Sequence, residues 1–195
     1  MPLSKPAPRK HLHTRAITYQ GYKREDGLWD IEGHLIDTKT YSIDNKWRDK
    51  ITVGEALHEM LIRVTIDDNF LIKDIEAVTD NSPFEMCPNI TPNYKALIGL
   101  SMGLGWRKII RQKVGGVAGC THITELLFPM ATVAIQTLMP FRKNIERSET
   151  SGHEKSKLER PFVLNTCHAW ATDSVVVKEN EPAFYTGPEV SDIKK

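Results

Sequence analysis

Two stretches of the chain alternate apolar and polar residues and then fold back at an acidic turn. Residues 60–66 alternate, residues 67–69 (Asp-Asp-Asn) form the turn, and residues 70–78 return. An earlier pair of runs, residues 15–24 and 28–37, flanks an Asp-Gly turn, which is a strong hairpin signal. A spacing of two with many β-branched residues is typical of strands that bury one face. Two successive hairpins therefore predict an antiparallel meander of about four strands.

Helical patterns dominate the second half of the chain. Residues 94–114 show helical spacing interrupted by glycines, which predicts two short helices ending at Gly115. A longer, largely buried helix is expected from Thr121 to about Arg147. The apolar triplets at 162–164 and 175–177 could add edge strands. The predicted fold class is α+β, with the meander packed on C-terminal helices. We expect one domain over residues 14–180, between a disordered tail (1–13) and a second tail (181–195).

The composition limits the kind of protein this chain can be. Apolar residues make up 40% of the 195 residues, which is a globular value. The 26 basic residues nearly balance the 25 acidic ones, which argues against a nucleic-acid partner. The longest apolar stretch, residues 126–141, contains two prolines, and the N-terminus lacks the apolar core of a signal peptide, so we expect no membrane partner. Three cysteines, an odd count, indicate a reducing compartment and hence a cytoplasmic protein.

The segment from residue 114 to residue 125 carries the strongest chemical signal. Its glycines let the backbone turn sharply before Cys120, His122 and Glu125, and the last two share one face of the following helix. Thiolate, imidazole and carboxylate groups that converge at one point are typical of a Zn or Fe site. The alternative is a buried cysteine beside an ordinary helix cap. If Gly119 needs a positive φ in this turn, Gly119→Val should disturb the site.

Two further residues are candidate metal ligands. His58 lies at the inward-facing start of the second hairpin, and Cys87 follows that hairpin. Because the residues before and after a hairpin end up adjacent, the sequence predicts a site formed by His58, Cys87, Cys120 and His122, with Glu125 as the alternative to His122. The alternative for His58 is a histidine that binds a backbone carbonyl. Whether the adjacent pair Cys167 and His168 belongs to the same site stays open.

The first hairpin carries a row of polar side chains. By alternation, Asp30, Glu32 and His34 lie on the face opposite to Trp29, where they could provide general acid–base catalysis. A solvated outer face would give the same pattern. Arg24 is a natural clamp for a substrate carboxylate, with Tyr22 beside it on the same hairpin.

Two motifs carry a resemblance to a known family. At residues 22–34 and again at residues 115–126, the chain resembles a bacterial domain-of-unknown-function family (DUF2889-type) over residues 14–180. The resemblance implies a bacterial origin and one shared domain, but no activity.

A weaker likeness is to the iron–sulfur cluster assembly scaffold proteins. The chain is similar to them in its order of hairpin, cysteine, helices, Cys-x-His and long helix. This likeness implies that Cys87, Cys120 and His122 stand at their ligand positions and makes an iron–sulfur cluster the alternative cofactor. Ala56 stands where their first cysteine is expected.

These observations favour a small metalloenzyme, a hydrolase or lyase that acts on a small, carboxylate-bearing organic substrate. One Zn or Fe ion would activate water or polarise a carbonyl, with Glu125, His34, Glu32 and Asp30 as catalytic groups. A metal- or cluster-binding accessory protein without catalysis is the first alternative. A metal-free enzyme with Cys120 as nucleophile and His122 or His168 as base is the second. The apolar helix after Thr121 could also form a homodimer contact.

Overall fold

The computed structural model describes residues 3–149, 160–161 and 163–188, without the side chains of 142–149. Six strands occur in these residues: β1 His13–Lys23, β2 Trp29–Lys39, β3 Ile43–Asn45, β4 Asp49–Ile51, β5 Ala56–Ile66 and β6 Ile72–Asn81. The four long strands form one antiparallel sheet in the order β1-β2-β5-β6, which confirms the predicted meander. The short strands β3 and β4 form a separate ribbon between β2 and β5.

In the part of the chain that the structure describes, three α-helices follow the sheet: α1 Trp106–Val114, α2 Thr121–Glu149 and α3 Val175–Asn180. A 3₁₀ segment, Cys87–Leu97, precedes α1 and packs against β6. The α+β class is therefore confirmed. The edge strand expected at 175–177 is wrong, because Val175 begins α3, whose first turn is capped by the Ser174 hydroxyl. At 162–164 the apolar triplet includes residue 162, which lies outside the described residues, and Leu164 lies in a turn.

The chain divides into two compact units, Met1–Ser148 and Glu149–Lys195. The first unit contains the whole sheet, α1 and nearly all of α2. The second contains α3 and the two 3₁₀ turns that flank it, His168–Trp170 and Pro182–Phe184. The single domain expected over residues 14–180 stays a prediction.

Alternation along the strands determines which face of the sheet is covered. In β2 every second residue from Trp29 to Asp37 is buried, and the residues between them are only partly buried. We call the covered face the inner face and the opposite one the outer face. The inner face and the helices form one hydrophobic core, with 21 buried residues among those described, including Ile31, Met60, Ile110 and Leu127.

Helix α2 lies along β1 and β2 on the inner face. Near its start Glu125 accepts a hydrogen bond from Arg15, and further along Phe141 packs edge-on against Trp29, with ring centroids 5.2 Å apart. Between these points the helix crosses β1 at Gly21, where an added Cβ would overlap the Thr137 side chain. The close approach of helix and strand thus places the first turn of α2 over the end of the sheet at which β2 and β6 finish and β5 begins.

The stretch Thr121–Phe141 of α2 is, among the described residues, the one helical segment long and apolar enough to cross a membrane, with a mean hydropathy of 1.2. The core helix of a globular domain has the same character. The fully buried residues of α2 belong to the hydrophobic core: Ile123, Leu126, Leu127, Met130, Ala134 and Leu138. The absence of a membrane partner stays a prediction.

Candidate metal centre

Asp37 is a carboxylate in an apolar row. It continues the buried positions of β2 at the end of the strand, and only 2% of the residue is exposed. In the register of the sheet, Arg15 of β1 lies directly opposite Asp37 on one side, and His58 of β5 lies opposite it on the other. Side chains at paired positions of neighbouring strands share a face. Three polar side chains therefore lie next to each other across three strands.

Both oxygens of Asp37 accept hydrogen bonds. The Arg15 guanidinium donates from Nε to Oδ1 and from Nη2 to Oδ2, each at 2.8 Å. His13 Nε2 lies 2.9 Å from Oδ1, and His58 Nδ1 lies 3.1 Å from Oδ2. Burial by itself would raise the pKa of Asp37, but the hydrogen bonds and charge around it, above all those of Arg15, lower the pKa to about 2. The carboxylate is therefore ionised at neutral pH.

His122 reaches the same carboxylate from the first turn of α2. Its ring stacks on that of His58, with centroids 3.8 Å apart and planes inclined by 30°. His122 Nε2 lies 3.7 Å from Asp37 Oδ2. The two imidazoles thus approach a single carboxylate oxygen from a strand and from a helix.

A buried tyrosine holds the loop that leads into α2. The Tyr94 hydroxyl accepts a hydrogen bond from the Cys120 N–H at 2.8 Å and lies within 3.0 Å of the Cys120 carbonyl and of the Thr124 hydroxyl. The Thr124 hydroxyl in turn donates to the Val114 carbonyl at 3.0 Å. These bonds fix the backbone on both sides of His122.

Gly119, in the same loop, does not have the positive φ that the sequence suggested. Its φ of −150° and ψ of 178° describe extended backbone, which any residue can adopt. The reason for a glycine here is space, because a Cβ would overlap the Val114 carbonyl oxygen and lie 3.0 Å from the Tyr94 hydroxyl. The positive φ in this loop belongs to Gly116.

Both stacked histidines are neutral at pH 7. Burial and the neighbouring His122 lower the pKa of His58 to about 4, in spite of the nearby Asp37 charge. Burial and the charge of Arg15 also lower the pKa of His122. A neutral imidazole offers a lone pair, and that is the protonation state a metal ligand requires.

Asp37, His58 and His122 are arranged as metal ligands would be. One potential donor atom from each lies within 4.8 Å of the other two. Two atoms each bound to one tetrahedral Zn²⁺ at about 2.1 Å lie about 3.4 Å apart. The distances from Asp37 Oδ2 to the two histidine nitrogens, 3.1 and 3.7 Å, lie on either side of that value. Arg15 and His13 would remain bound to the carboxylate and orient it, as outer partners of metal ligands do.

The structure brings together two of the four predicted ligands, His58 and His122. Cys120 contacts His122, with Sγ 3.8 Å from Nδ1, the ring nitrogen that does not face Asp37. Cys87 starts the 3₁₀ segment after β6 and is not among the grouped donors. All three cysteines are free thiols, and Cys167 lies in the second unit.

The predicted catalytic residues lie on two different faces of the sheet. Glu125 is on the inner side, 45% exposed, with Oε2 2.6 Å from Arg15 Nη1. The other three are partly buried on the outer face, where each has a hydrogen-bond partner: Asp30 with Thr65, Glu32 with Arg63, and His34 with Glu59. Glu32 and His34 line an open depression of about 400 Å³. The sheet therefore separates these three side chains from Asp37.

The predicted substrate residues also lie away from Asp37. Arg24 is in the turn between β1 and β2, at the opposite end of β2, and it pairs with Asp26 and Asp30. Tyr22 is exposed near the same turn. The basic group beside the candidate metal centre is Arg15 instead.

Sequence reasoning missed Asp37, Arg15 and His13. A signal for Asp37 was present, since this acidic residue has the same alternation phase as Trp29 and the other buried residues of β2. An acidic residue at an inward position needs a partner. Arg15 then follows as the cation on the neighbouring strand of the same hairpin.

The stability of the metal-free protein should decrease as the pH falls from 6.5 to 4. Between these pH values unfolded His58 binds more protons than folded His58, whose pKa is lowered to about 4, so protonation favours the unfolded state by about 2–3 kcal/mol. His122 acts in the same direction. Denaturant unfolding in the presence of a chelator, at pH 7 and at pH 4.5, measures the effect. His58→Gln should reduce the difference between the two pH values, and an unchanged difference would contradict the prediction.

The sequence model of a family described as protein of unknown function (DUF2889) matches residues 13–136. The matched segment begins at His13 and includes every residue of the candidate metal centre. No curated protein and no solved structure matches the chain. The likeness to iron–sulfur scaffold proteins therefore stays a hypothesis.

Proposed function

Because the chain belongs to the DUF2889 family, whose description names no activity, we propose a function from the candidate centre itself: this domain binds one Zn or Fe ion through Asp37, His58 and His122. The observation that carries the proposal is the convergence of two neutral imidazoles on one ionised carboxylate oxygen. Two histidines with one carboxylate occur in zinc hydrolases and in non-haem iron enzymes.

Three protein ligands favour an enzyme over a purely structural site. A structural zinc site is closed by four protein ligands, whereas a catalytic site keeps a position for water or substrate. An ion bound there would supply Lewis acidity and lower the pKa of a bound water. We propose a metal-dependent hydrolase or lyase in the cytoplasm, where its three thiols stay reduced.

Arg15 and Glu125 are the residues that would meet a small carboxylate-bearing substrate. Arg15 is 32% exposed and shares its guanidinium between Asp37 and Glu125. A substrate carboxylate could replace Glu125 on Nη1 while the Nε and Nη2 bonds to Asp37 persist. Glu125 would then be free to accept a proton at Oε2 as a general base.

A metal-free thiol enzyme is the second candidate, supported by one specific contact chain. Cys120 Sγ lies 3.8 Å from His122 Nδ1, and His122 Nε2 lies 3.7 Å from Asp37 Oδ2. Thiol, imidazole and carboxylate in this order form a nucleophile, a base and an orienting group. His122 would take the thiol proton at Nδ1. An accessory protein that binds the ion without catalysis is the third candidate, and it shares the ligands of the first.

Elemental analysis of untagged protein tests the metal proposal. We expect about one Zn or Fe per chain after purification or after reconstitution with either ion. His58→Ala and His122→Ala should each lose the metal. Cys120→Ala should keep it, because Cys120 is not among the grouped donors. The matched control is His34→Ala, which removes a histidine from the opposite face of the sheet.

The same variants separate the candidate functions. Wild-type protein that binds neither ion rejects the metal site. In that case iodoacetamide should alkylate Cys120 faster in the wild type than in His122→Ala if the thiol enzyme is correct. If the metal binds, hydrolysis or elimination assays on small carboxylate esters and hydroxy acids distinguish an enzyme from an accessory protein. In an enzyme, Glu125→Gln should lose turnover but keep the metal.

A further inference from the structure

Strand β1 forms one edge of the sheet, and along most of its length no described residue protects its outer edge. The sheet order ends at β1, whose one partner among the described strands is β2. From Arg15 to Gly21, no backbone hydrogen bond to this outer edge occurs within the described residues. Residues 16–22 contain no charged residue and no proline, and the pairing of β1 with β2 has no bulge. Natural sheets normally use such features to prevent edge-to-edge association.

The other edge strand, β6, shows the protection that β1 lacks. Two bulges interrupt its pairing with β5. At its start the Ile72 N–H donates to the Leu100 carbonyl at 2.9 Å, and the Gly99 N–H donates to the Ile72 carbonyl at 2.9 Å. Four charged residues interrupt its sequence: Lys73, Asp74, Glu76 and Asp80. Of the two edges of the sheet, the edge of β1 is therefore the one that the described residues leave open to pairing.

The hydrogen bonds at the two ends of the first hairpin show which backbone groups point outward. The Arg24 N–H bonds to the Leu28 carbonyl, and the Thr40 N–H bonds to the Leu12 carbonyl. Residues with hydrogen bonds to the partner strand alternate with residues that have none. Even-numbered residues of β1 therefore bond to β2, and odd-numbered residues such as Ile17 and Tyr19 direct their N–H and C=O groups to the free edge.

We propose that β1 pairs antiparallel with β1 of a second copy of this chain, about a two-fold axis at Thr18, to form a continuous eight-stranded sheet. This register matches the full strand His13–Lys23 with itself, because Thr18 is its central residue. It places Ile17 opposite Tyr19 of the second copy and Arg15 opposite Gly21. No two charges of like sign face each other between Arg15 and Gly21. Self-pairing of one surface is the arrangement that a two-fold dimer requires.

The pairing should be concentration-dependent. A single pair of strands buries less accessible surface than a stable interface, which buries at least about 1,200 Å² in total. The backbone hydrogen bonds therefore supply much of the affinity. We therefore expect a dimer that forms at about micromolar concentrations. The dimer leaves the side chains of Asp37, His58 and His122 in place, so it is independent of the proposed metal site.

Sedimentation velocity of the full chain from about 1 to 200 µM tests the proposal. The wild type should shift from monomer to dimer over this range. Ile17→Pro removes an outward N–H without removing a hydrogen bond to β2, and it should weaken the dimer at least about tenfold. Ile17→Ala keeps the N–H and should keep most of the dimer.

A second variant covers the case in which Ile17→Pro fails to fold by circular dichroism. Thr18→Lys changes an exposed side chain and places two like charges opposite each other at the axis, which should also weaken the dimer. Gln20→Lys is its control, since the new lysine faces Ala16 of the second copy. A wild type that is monomeric at every concentration overturns the proposal. A dimer that survives both Ile17→Pro and Thr18→Lys also overturns it and assigns association to another surface, such as α2.

Discussion

Replacing Asp37 with alanine should lower the free energy of unfolding of the metal-free protein by about 3 kcal/mol and abolish metal binding. Removing one partner of a buried ion pair leaves the other charge without compensation, which costs about 3–5 kcal/mol in fully buried cases. We expect the lower end of this energy range because the Arg15 side chain is 32% exposed and keeps its bond to Glu125. Denaturant unfolding with a chelator gives the stability, and metal titration of the same protein gives the affinity.

Two further variants show which interactions account for the effect of Asp37→Ala on stability and on metal binding. Asp37→Asn keeps the size of the side chain and one carbonyl oxygen, so it should recover part of the stability but not the metal. Glu125→Gln changes the other carboxylate on Arg15, which is 45% exposed, and should cost less than about 1 kcal/mol. An Asp37→Ala protein that is as stable as Glu125→Gln would show that the Arg15 pair does not stabilise the fold. Full metal content in Asp37→Ala would remove Asp37 from the ligand set.

The sheet could be predicted because its signals are local. Alternation within residues 60–66 and 28–37, together with acidic turns, fixes both the strands and the faces of their side chains. The same reasoning placed His58 inward and His122 in the first turn of α2. The meeting of these two residues depends on α2 lying along β1, which Gly21 permits by its lack of a side chain. The sequence pattern within α2 does not predict that contact.

The differences between the predicted site and the candidate metal centre also have physical causes. Asp30, Glu32 and His34 lie on one face, as alternation predicts, but alternation does not show that the grouped donors Asp37, His58 and His122 lie on the opposite side of the sheet. Cys87 was expected beside His58 because hairpin ends are adjacent. The chain instead turns after β6, where the Cys87 N–H donates to the Phe84 carbonyl at 3.1 Å, and continues as a 3₁₀ segment. Asp37 was missed because charged residues are usually exposed, a tendency that fails at partnered sites.

Gly119→Val should destabilise the domain by at least about 3 kcal/mol and weaken metal binding at the same time. Any Cβ at this position overlaps the Val114 carbonyl oxygen, and backbone atoms cannot move aside as the end of a long side chain can. The displaced loop carries Cys120, whose N–H and carbonyl bind the Tyr94 hydroxyl, so the shift extends to His122 two residues later. The same unfolding and titration measurements apply.

Gly116→Ala is the matched control for Gly119→Val. Gly116 lies in the same loop, with a φ of 58° and no neighbouring atom within 4 Å of an added Cβ. The substitution should therefore cost only about 1–2 kcal/mol of stability, from backbone strain. If the two variants were equally stable and bound metal equally well, the contact with Val114 would not be what positions His122.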